Sequence, residues 1–330
     1  MLRAISMGRL AYEINLVVDQ MPAEGTINEY FDKGGNVGGG AGIVGCALTR
    51  WGIGISIASV LGNDALGTRI RKTLDSLKID TRYIEPTYDN DTPISVIFSN
   101  NNSGKHTTYN LSDKFISIKK LDFDFQPDLA YSDGYDAVQS KALFERYPHA
   151  IKVLDGSMVT NSVIDLIRKA NYVICSIPFA ERVSGIKIDV QNPNTLVETY
   201  QKLKKKYLNT EFVITLGDRG ALYCINNQIK VSPSLKVKVV DTYGCKDMFR
   251  AGFSYAIASG GDVEKGVKMG CIAAGLAATK VGAFDAIPTL EEMKNLYEQN
   301  YSWSIYSKIS SYGYPWRDIF NLCSCYKFIY

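Results

Sequence analysis

The sequence predicts an α/β protein: a three-layer α/β/α doubly wound domain with a mostly parallel central sheet, carrying a small β-sheet lid. Three observations predict it. Short apolar strands alternate with amphipathic helical stretches from about residue 53 to residue 278, the pattern of a parallel sheet covered on both faces. Extended pieces near residues 14–18, 28–33 and 107–110 sit between polar and glycine-rich stretches and break that alternation, as an appended sheet would. A chain of 330 residues, 46% hydrophobic and 22% charged, is long enough to bury a large core and carry a smaller appendage.

The elements follow in order. Apolar runs with few interruptions predict strands at 55–60, 95–98, 129–132, 151–154, 172–175, 212–215 and 237–240. Apolar residues at helical spacing predict helices over 65–77, 137–144, 163–169 and 195–207, with Asp64 placed to cap the first of them. Lid pieces fall near 12–36 and 94–112, and the folded domain runs over residues 1–300. From Glu298 the character changes. Residues 301–330 are rich in Tyr, Ser and Trp without clean periodicity, and form either a segment docked through Trp303, Trp316 and Phe320 or a loose extension.

Composition excludes several classes. Net charge is +3 with no long basic run, and Lys202 with Lys204 to Lys206 reads as a solvated helix face rather than a nucleic-acid footprint. No window approaches the roughly 18 apolar residues of a membrane span, and the first residues lack a signal-peptide core. The seven cysteines are scattered without a CxxC pair, which suits buried thiols in a reducing, cytoplasmic setting. With His106 and His149 as the only histidines and no HExxH, metallohydrolase and cysteine-nucleophile chemistry have little material.

The most informative segment is Asp241-Thr242-Tyr243-Gly244-Cys245-Lys246-Asp247, which joins the strand expected at 237–240 to a small-residue helix over 248–258. A helix start offers unpaired N–H groups and the positive end of the dipole, so this junction is a phosphate cradle with a carboxylate in it. A second glycine-rich stretch, Gly34 to Gly42, precedes a helix that stops at Gly52. It follows no buried strand and has no acidic partner at dinucleotide-binding distance, which ranks a Rossmann cofactor low. A third, 212–220, reads as strand, glycine turn, strand, as a plain hairpin would.

In their order these segments resemble the PfkB (ribokinase-like) carbohydrate kinases, over residues 8 to 297. Asp241 to Asp247 is similar to the family's Asp-Thr-x-Gly-Ala-Gly-Asp signature. The resemblance implies Asp247 as general base and Gly244, Cys245 and Lys246 as the anion hole, with Lys246 standing where the family has glycine. Gly8 to Glu13 resembles the opening strand whose acid contacts sugar hydroxyls, here Glu13 in place of Asp. Gly38-Gly39 resembles the sugar-approaching glycine step, with Ile43 where the family has Asn, and His106 stands where an Arg often reaches the sugar. On the nucleotide side the resemblance points to Thr215, Gly217 and Gly220 of Thr-Leu-Gly-x-x-Gly, to Thr242, and to Cys271 and Gly275 of an adenine-pocket helix. Ser176 stands in for the Asn of Asn-x-x-Glu, in a Cys-Ser-x-x-Phe-Ala form like that of the ketohexokinase-like and sulfofructose-kinase-like branch. Implied cofactors are ATP and Mg²⁺, with Glu181 reaching the metal through water, and K⁺ beside Asp241. The implied partners are a sugar and, through the lid, a second copy of the chain. Lys246, Ile43 and Glu13 together leave a second reading open, a kinase-fold binder of sugar or nucleotide with little turnover.

Overall fold

The computed structural model describes residues 1–28, 35–111 and 114–302. Most of the strand expected at 28–33, and the tail from 303 onward, lie outside the described residues.

The chain opens with β1 (Arg3–Met7), then turns at Gly8 into β2 (Ala11–Val18) and β3 (Asn36–Gly38). Helix α1 (Gly40–Arg50) leads to β4 (Gly54–Gly62), α2 (Ala65–Ser76) and β5 (Ile84–Thr87), and β6 (Ile94–Asn100) and β7 (His106–Leu111) form a hairpin. Strands and helices then alternate, with two helices before the last strand: β8 (Leu129–Ser132), α3 (Ala137–Arg146), β9 (Ile151–Gly156), α4 (Asn161–Leu166), β10 (Tyr172–Ser176), α5 (Ile177–Ser184), α6 (Pro193–Lys206) and β11 (Glu211–Thr215). A second hairpin, β12 (Ala221–Ile225) and β13 (Gln228–Ser232), precedes α7 (Cys245–Ala258), α8 (Val263–Ala277) and α9 (Leu290–Tyr297).

Nine strands form the main sheet in the order β13-β12-β11-β10-β9-β8-β1-β4-β5, parallel from β11 to β5 and antiparallel only at the β12 and β13 edge. The expected three layers are present. Successive strand residues feed opposite faces: Tyr131, Val153, Ile174 and Val213 join the core under α1, α2, α7, α8 and α9, while Ala130, Leu154, Val173 and Phe212 join the core under α3 to α6. Asp64 caps α2 as expected, accepting from Gly67 N at 2.7 Å. A second sheet, β3-β2-β6-β7, is the small lid, and the 95–98 strand belongs to it.

One expected strand is absent. Residues 237–240 form no strand; Val240 N instead donates to Ala278 O at the end of α8, at 2.7 Å. β-branched side chains favour extended backbone, yet a strand needs a partner, and the sheet edge beside β12 is already taken by β13. The register leaves the carboxyl ends of β1, β8, β9, β10 and β11 together, since Met7 pairs with Ser132, Ser132 with Leu154, Gly156 with Cys175 and Ser176 with Thr215. Ligands of open α/β sheets bind outside these ends.

Candidate active site

Gly244 is the N-cap of α7 at φ 77°, a left-handed conformation, and no side chain caps the helix. A Cβ there would lie 2.6 Å from that of Ala283, so the turn closes only with glycine. The Cys245 N–H donates to Thr242 O at 3.4 Å, and no side chain caps the N–H groups that follow beside Asp247, which sits in the first turn with its side chain one-quarter exposed. Burial pushes the Asp247 carboxyl above the usual carboxylate range, opposed by Arg250 and Lys246. Arg250 Nη1 donates to Asp247 Oδ1 at 3.0 Å, and Nη2 lies 2.9 Å from Asp155 Oδ1 and donates to Ser157 Oγ. The Asp155 contact is electrostatic, because that oxygen receives no well-aligned N–H. Arg250 is buried, and the two carboxylates hold its guanidinium charged. Lys246 is exposed on the outer side of the same turn.

The lid closes on this junction. Asp241 is fully buried: its Oδ1 accepts from Tyr243 N at 2.9 Å, and its Oδ2 from Ser99 Oγ of β6 at 2.8 Å and Gly282 N at 3.0 Å. Thr242 donates N–H and Oγ1 to Gly104 O, each at 2.9 Å, and its hydroxyl lies 3.2 Å from His106 Nδ1. The His106 ring meets Tyr243 edge-on at 5.2 Å, and desolvation lowers its pKa against the pull of Asp241. Thr242, expected on the nucleotide side, thus bonds the lid.

Glu13, near the start of β2, accepts from Tyr243 Oη at 2.6 Å and from Gly39 N at 3.0 Å. A Cβ on Gly38 would lie 2.0 Å from Glu13 Cδ, so the glycine step exists to admit this carboxyl. Burial pushes Glu13 up to about 7 against those two hydrogen bonds. The structure thus brings together Glu13, Gly38, Gly39, Gly244, Cys245, Lys246 and Asp247. Ile43 is packed in the core rather than facing this site.

Four residues of this region were missed by sequence reasoning. Tyr243 ties the two motifs together. Asp133, just past β8, accepts from Arg9 N, Tyr135 N and Ala41 N at 2.8, 2.9 and 3.3 Å, and burial pushes it up to about 7. Asp155, near the end of β9, is pushed up to about 6, and Arg250 completes the set. Both aspartates stand at carboxyl ends of central parallel strands, a signal the sequence carried.

Farther along the same carboxyl edge of the sheet, Ser176 ends β10 and starts α5 without capping it. Thr215 ends β11 and donates to Cys175 O at 3.2 Å. Gly217 and Gly220 shape the following turn at φ 67° and 96°. Cys271 is buried on α8, and Gly275 lets Leu235 pass, a Cβ there lying 2.6 Å from that of Leu235. Glu181 is engaged, accepting from Ile188 N at 2.8 Å and Lys187 Nζ at 3.1 Å, contacts that lower its pKa. Among the described residues no three metal-ligating side chains converge; Mg²⁺ is an ion content with one or two carboxylates plus substrate phosphates.

Solved ribokinase structures share this architecture. The chain is similar to Arabidopsis thaliana ribokinase complexed with ribose and ATP (TM-score 0.74, 17% identity, covering 89% of this chain and 98% of that one). It is also similar to Thermotoga maritima ribokinase (TM-score 0.73, 20% identity, 90% and 99%). Residues 1–290 match the pfkB family carbohydrate kinase model, and the chain belongs to that family. A deoxyribokinase of Salmonella typhi is 24% identical over 297 residues, covering 86% of this chain and 94% of the relative.

Proposed function

We propose that this carbohydrate kinase transfers the γ-phosphoryl group of ATP to a sugar hydroxyl, with Asp247 as the general base. One observation carries the reading: a partly exposed carboxylate stands in the first turn of an uncapped helix, near enough for its charge to act on Glu13, which is bonded to Gly39 where a sugar would lie. In an in-line transfer the sugar hydroxyl gives its proton to Asp247 Oδ as its oxygen bonds to phosphorus, and the bond to ADP breaks. Donors of Gly244, Cys245 and Lys246 face the equatorial oxygens, where charge accumulates. Glu13, Gly38 and Gly39 orient the sugar, with His106 and the lid excluding water. ATP lies over Ser176, Thr215, Gly217 and Gly220 toward Thr242, Cys271 and Gly275. Mg²⁺ would come with the triphosphate and offset its charge, with Glu181 the residue to reach it through water. A K⁺ ion near Asp241 would compete with Ser99, Tyr243 and Gly282 for that carboxylate, and no step here uses it. The same reading places the kinase domain at residues 1–300, in the cytoplasm, with the lid as the surface for pairing two copies.

The second reading, a kinase-fold binder with little turnover, is favoured by the ion pair that already occupies Asp247 and by a lysine at position 246, where the family has glycine. An ATP-coupled assay over ketoses, ribose, nucleosides and sugar phosphates separates the two. Transfer to at least one sugar is expected. No transfer by the wild type, with transfer appearing in Lys246→Gly, would establish the second reading instead.

A further inference from the structure

Asp247, Arg250 and Ser254 follow one another at helical spacing along α7 and share the face that packs on β8 and β9, where Arg250 meets Asp155. Opposite them, Tyr131 of β8 pairs with Val153 of β9. Asp155 stands two residues beyond Val153, on the same side of the sheet and diagonal to Tyr131. The rest of this layer is apolar core. Tyr131, Asp155, Arg250 and Ser254 are each no more than 5% exposed. Each also keeps one atom without a hydrogen-bond partner among the described residues: Tyr131 Oη, Asp155 Oδ1, Arg250 Nε and Ser254 Oγ.

Buried polar atoms in folded proteins are hydrogen-bonded, so four at one layer junction call for a shared partner. Their chemistry is complementary to a single water. Burial and the charge of Asp155 push the Tyr131 hydroxyl well above its ordinary range, so it keeps its proton and donates. Arg250 Nε–H only donates, Asp155 Oδ1 accepts, and the Ser254 hydroxyl does either. A water that accepts from the first two and donates to the other two fills all of its bonds.

We propose that Tyr131 and Ser254 are positioning residues for Asp247: with Arg250 Nε and Asp155 Oδ1 they hold an internal water that fixes the guanidinium between the two aspartates. The inference rests on the reading above, in which Asp247 is the base, and adds the residues that set how readily it takes a proton. Arg250 Nη1 and Nη2 already engage Asp247, Ser157 and Asp155, and Nε is the remaining edge that stops the fork from rotating. Deprived of the water, Asp155 Oδ1 takes the guanidinium directly, and Asp247 loses part of the charge that opposes its burial. Lys246, Glu13, Tyr243 and Cys245 also act on Asp247 or feel its charge, and the variants below leave them unaltered.

Carbon-13 NMR of protein labelled at the aspartate carboxyls, titrated without substrate, tests this; the Asp247 signal is the one lost in Asp247→Asn. Its midpoint should rise by roughly half a pH unit in Tyr131→Phe, the worth of about one hydrogen bond, and by a smaller step in Ser254→Ala. Side chains that only fill space would lower the unfolding temperature and leave the midpoint in place. Unchanged midpoints in both variants overturn the proposal, and Ser254→Ala decides alone if Tyr131→Phe does not fold. A crystal structure of the wild type should show one water within hydrogen-bond distance of Tyr131 Oη and Arg250 Nε; finding both atoms bonded to other partners without water would overturn it as well. A midpoint that rises in the variants while the acidic limb of kcat/KM stays at its wild-type place removes Asp247 as the base and leaves the positioning network standing.

Discussion

Replacing Arg250 with methionine tests how the candidate base is held. The guanidinium sits between Asp247 and Asp155, 3.0 and 2.9 Å away, and the side chain is only 5% exposed. At an effective dielectric near 20, each contact at about 3 Å is an attraction of roughly 5 kcal/mol before desolvation is counted. Breaking a buried pair by removing one partner costs about 3–5 kcal/mol, because it strands the other charge. With an unfolding entropy of about 2 cal/mol/K per residue over a domain of this size, Arg250→Met should unfold roughly 5–8 °C lower. The second consequence concerns protons. Burial already raises the Asp247 carboxyl and Arg250 opposes that rise, so without the cation the carboxyl is pushed further up. A general base works only when deprotonated, so the acidic limb of kcat/KM should move to higher pH in Arg250→Met. Arg250→Lys should restore the limb in part, since one ammonium cannot bridge both aspartates with a planar fork. The assays are coupled turnover across pH and thermal unfolding. An unchanged limb, with an unfolding temperature within about 1 °C of wild type, would refute the assignment of Arg250 as a positioning residue.

Other outcomes follow from the same geometry. Glu13 is protonated more readily in the folded protein than in the unfolded chain, so folding takes up a proton and stability falls as pH rises from about 4.5 toward about 7. Glu13→Gln keeps an acceptor for Tyr243 and Gly39; wild type should lose up to about 3 kcal/mol relative to it across that window, measured by denaturant titration, and parallel curves would contradict the burial argument. Gly244→Ala forces a left-handed alanine whose Cβ meets Ala283 at 2.6 Å, and should cost about 1–3 kcal/mol and most of the turnover. A stable, active Gly244→Ala would mean the turn is not the phosphate cradle. Ser99→Ala removes a lid donor to Asp241 and should cost about 1 kcal/mol or more of stability by leaving that buried oxygen one bond short. No change in unfolding temperature would show that the lid is not tied to the helix start through this bond.

Much of the architecture was legible because two periodicities dominate the chain: the two-faced burial of β8 to β11 and the 3.6-residue spacing of the helices between them. The motif residues were legible where backbone demands are severe, as at Gly38, which must admit Glu13, and Gly244, which must be left-handed. Long-range pairing was not legible. The 237–240 segment has the composition of a strand but loses its sheet edge to β13, which depends on tertiary competition. Tyr243 reaches Glu13 across 230 positions of sequence, and Asp155 meets Arg250 from another layer. Arg250 itself was hidden in a helix read by its small residues, although its spacing of three from Asp247 marked a pair on one face.

The central claim is that Asp247 accepts the sugar proton. Single-turnover transfer from labelled ATP to the best sugar of the panel, compared between wild type and Asp247→Asn, tests it most directly. The expected result is a loss of about 10²–10⁴-fold in the chemical step with sugar binding retained. Transfer by Asp247→Asn at a rate near wild type would contradict the account.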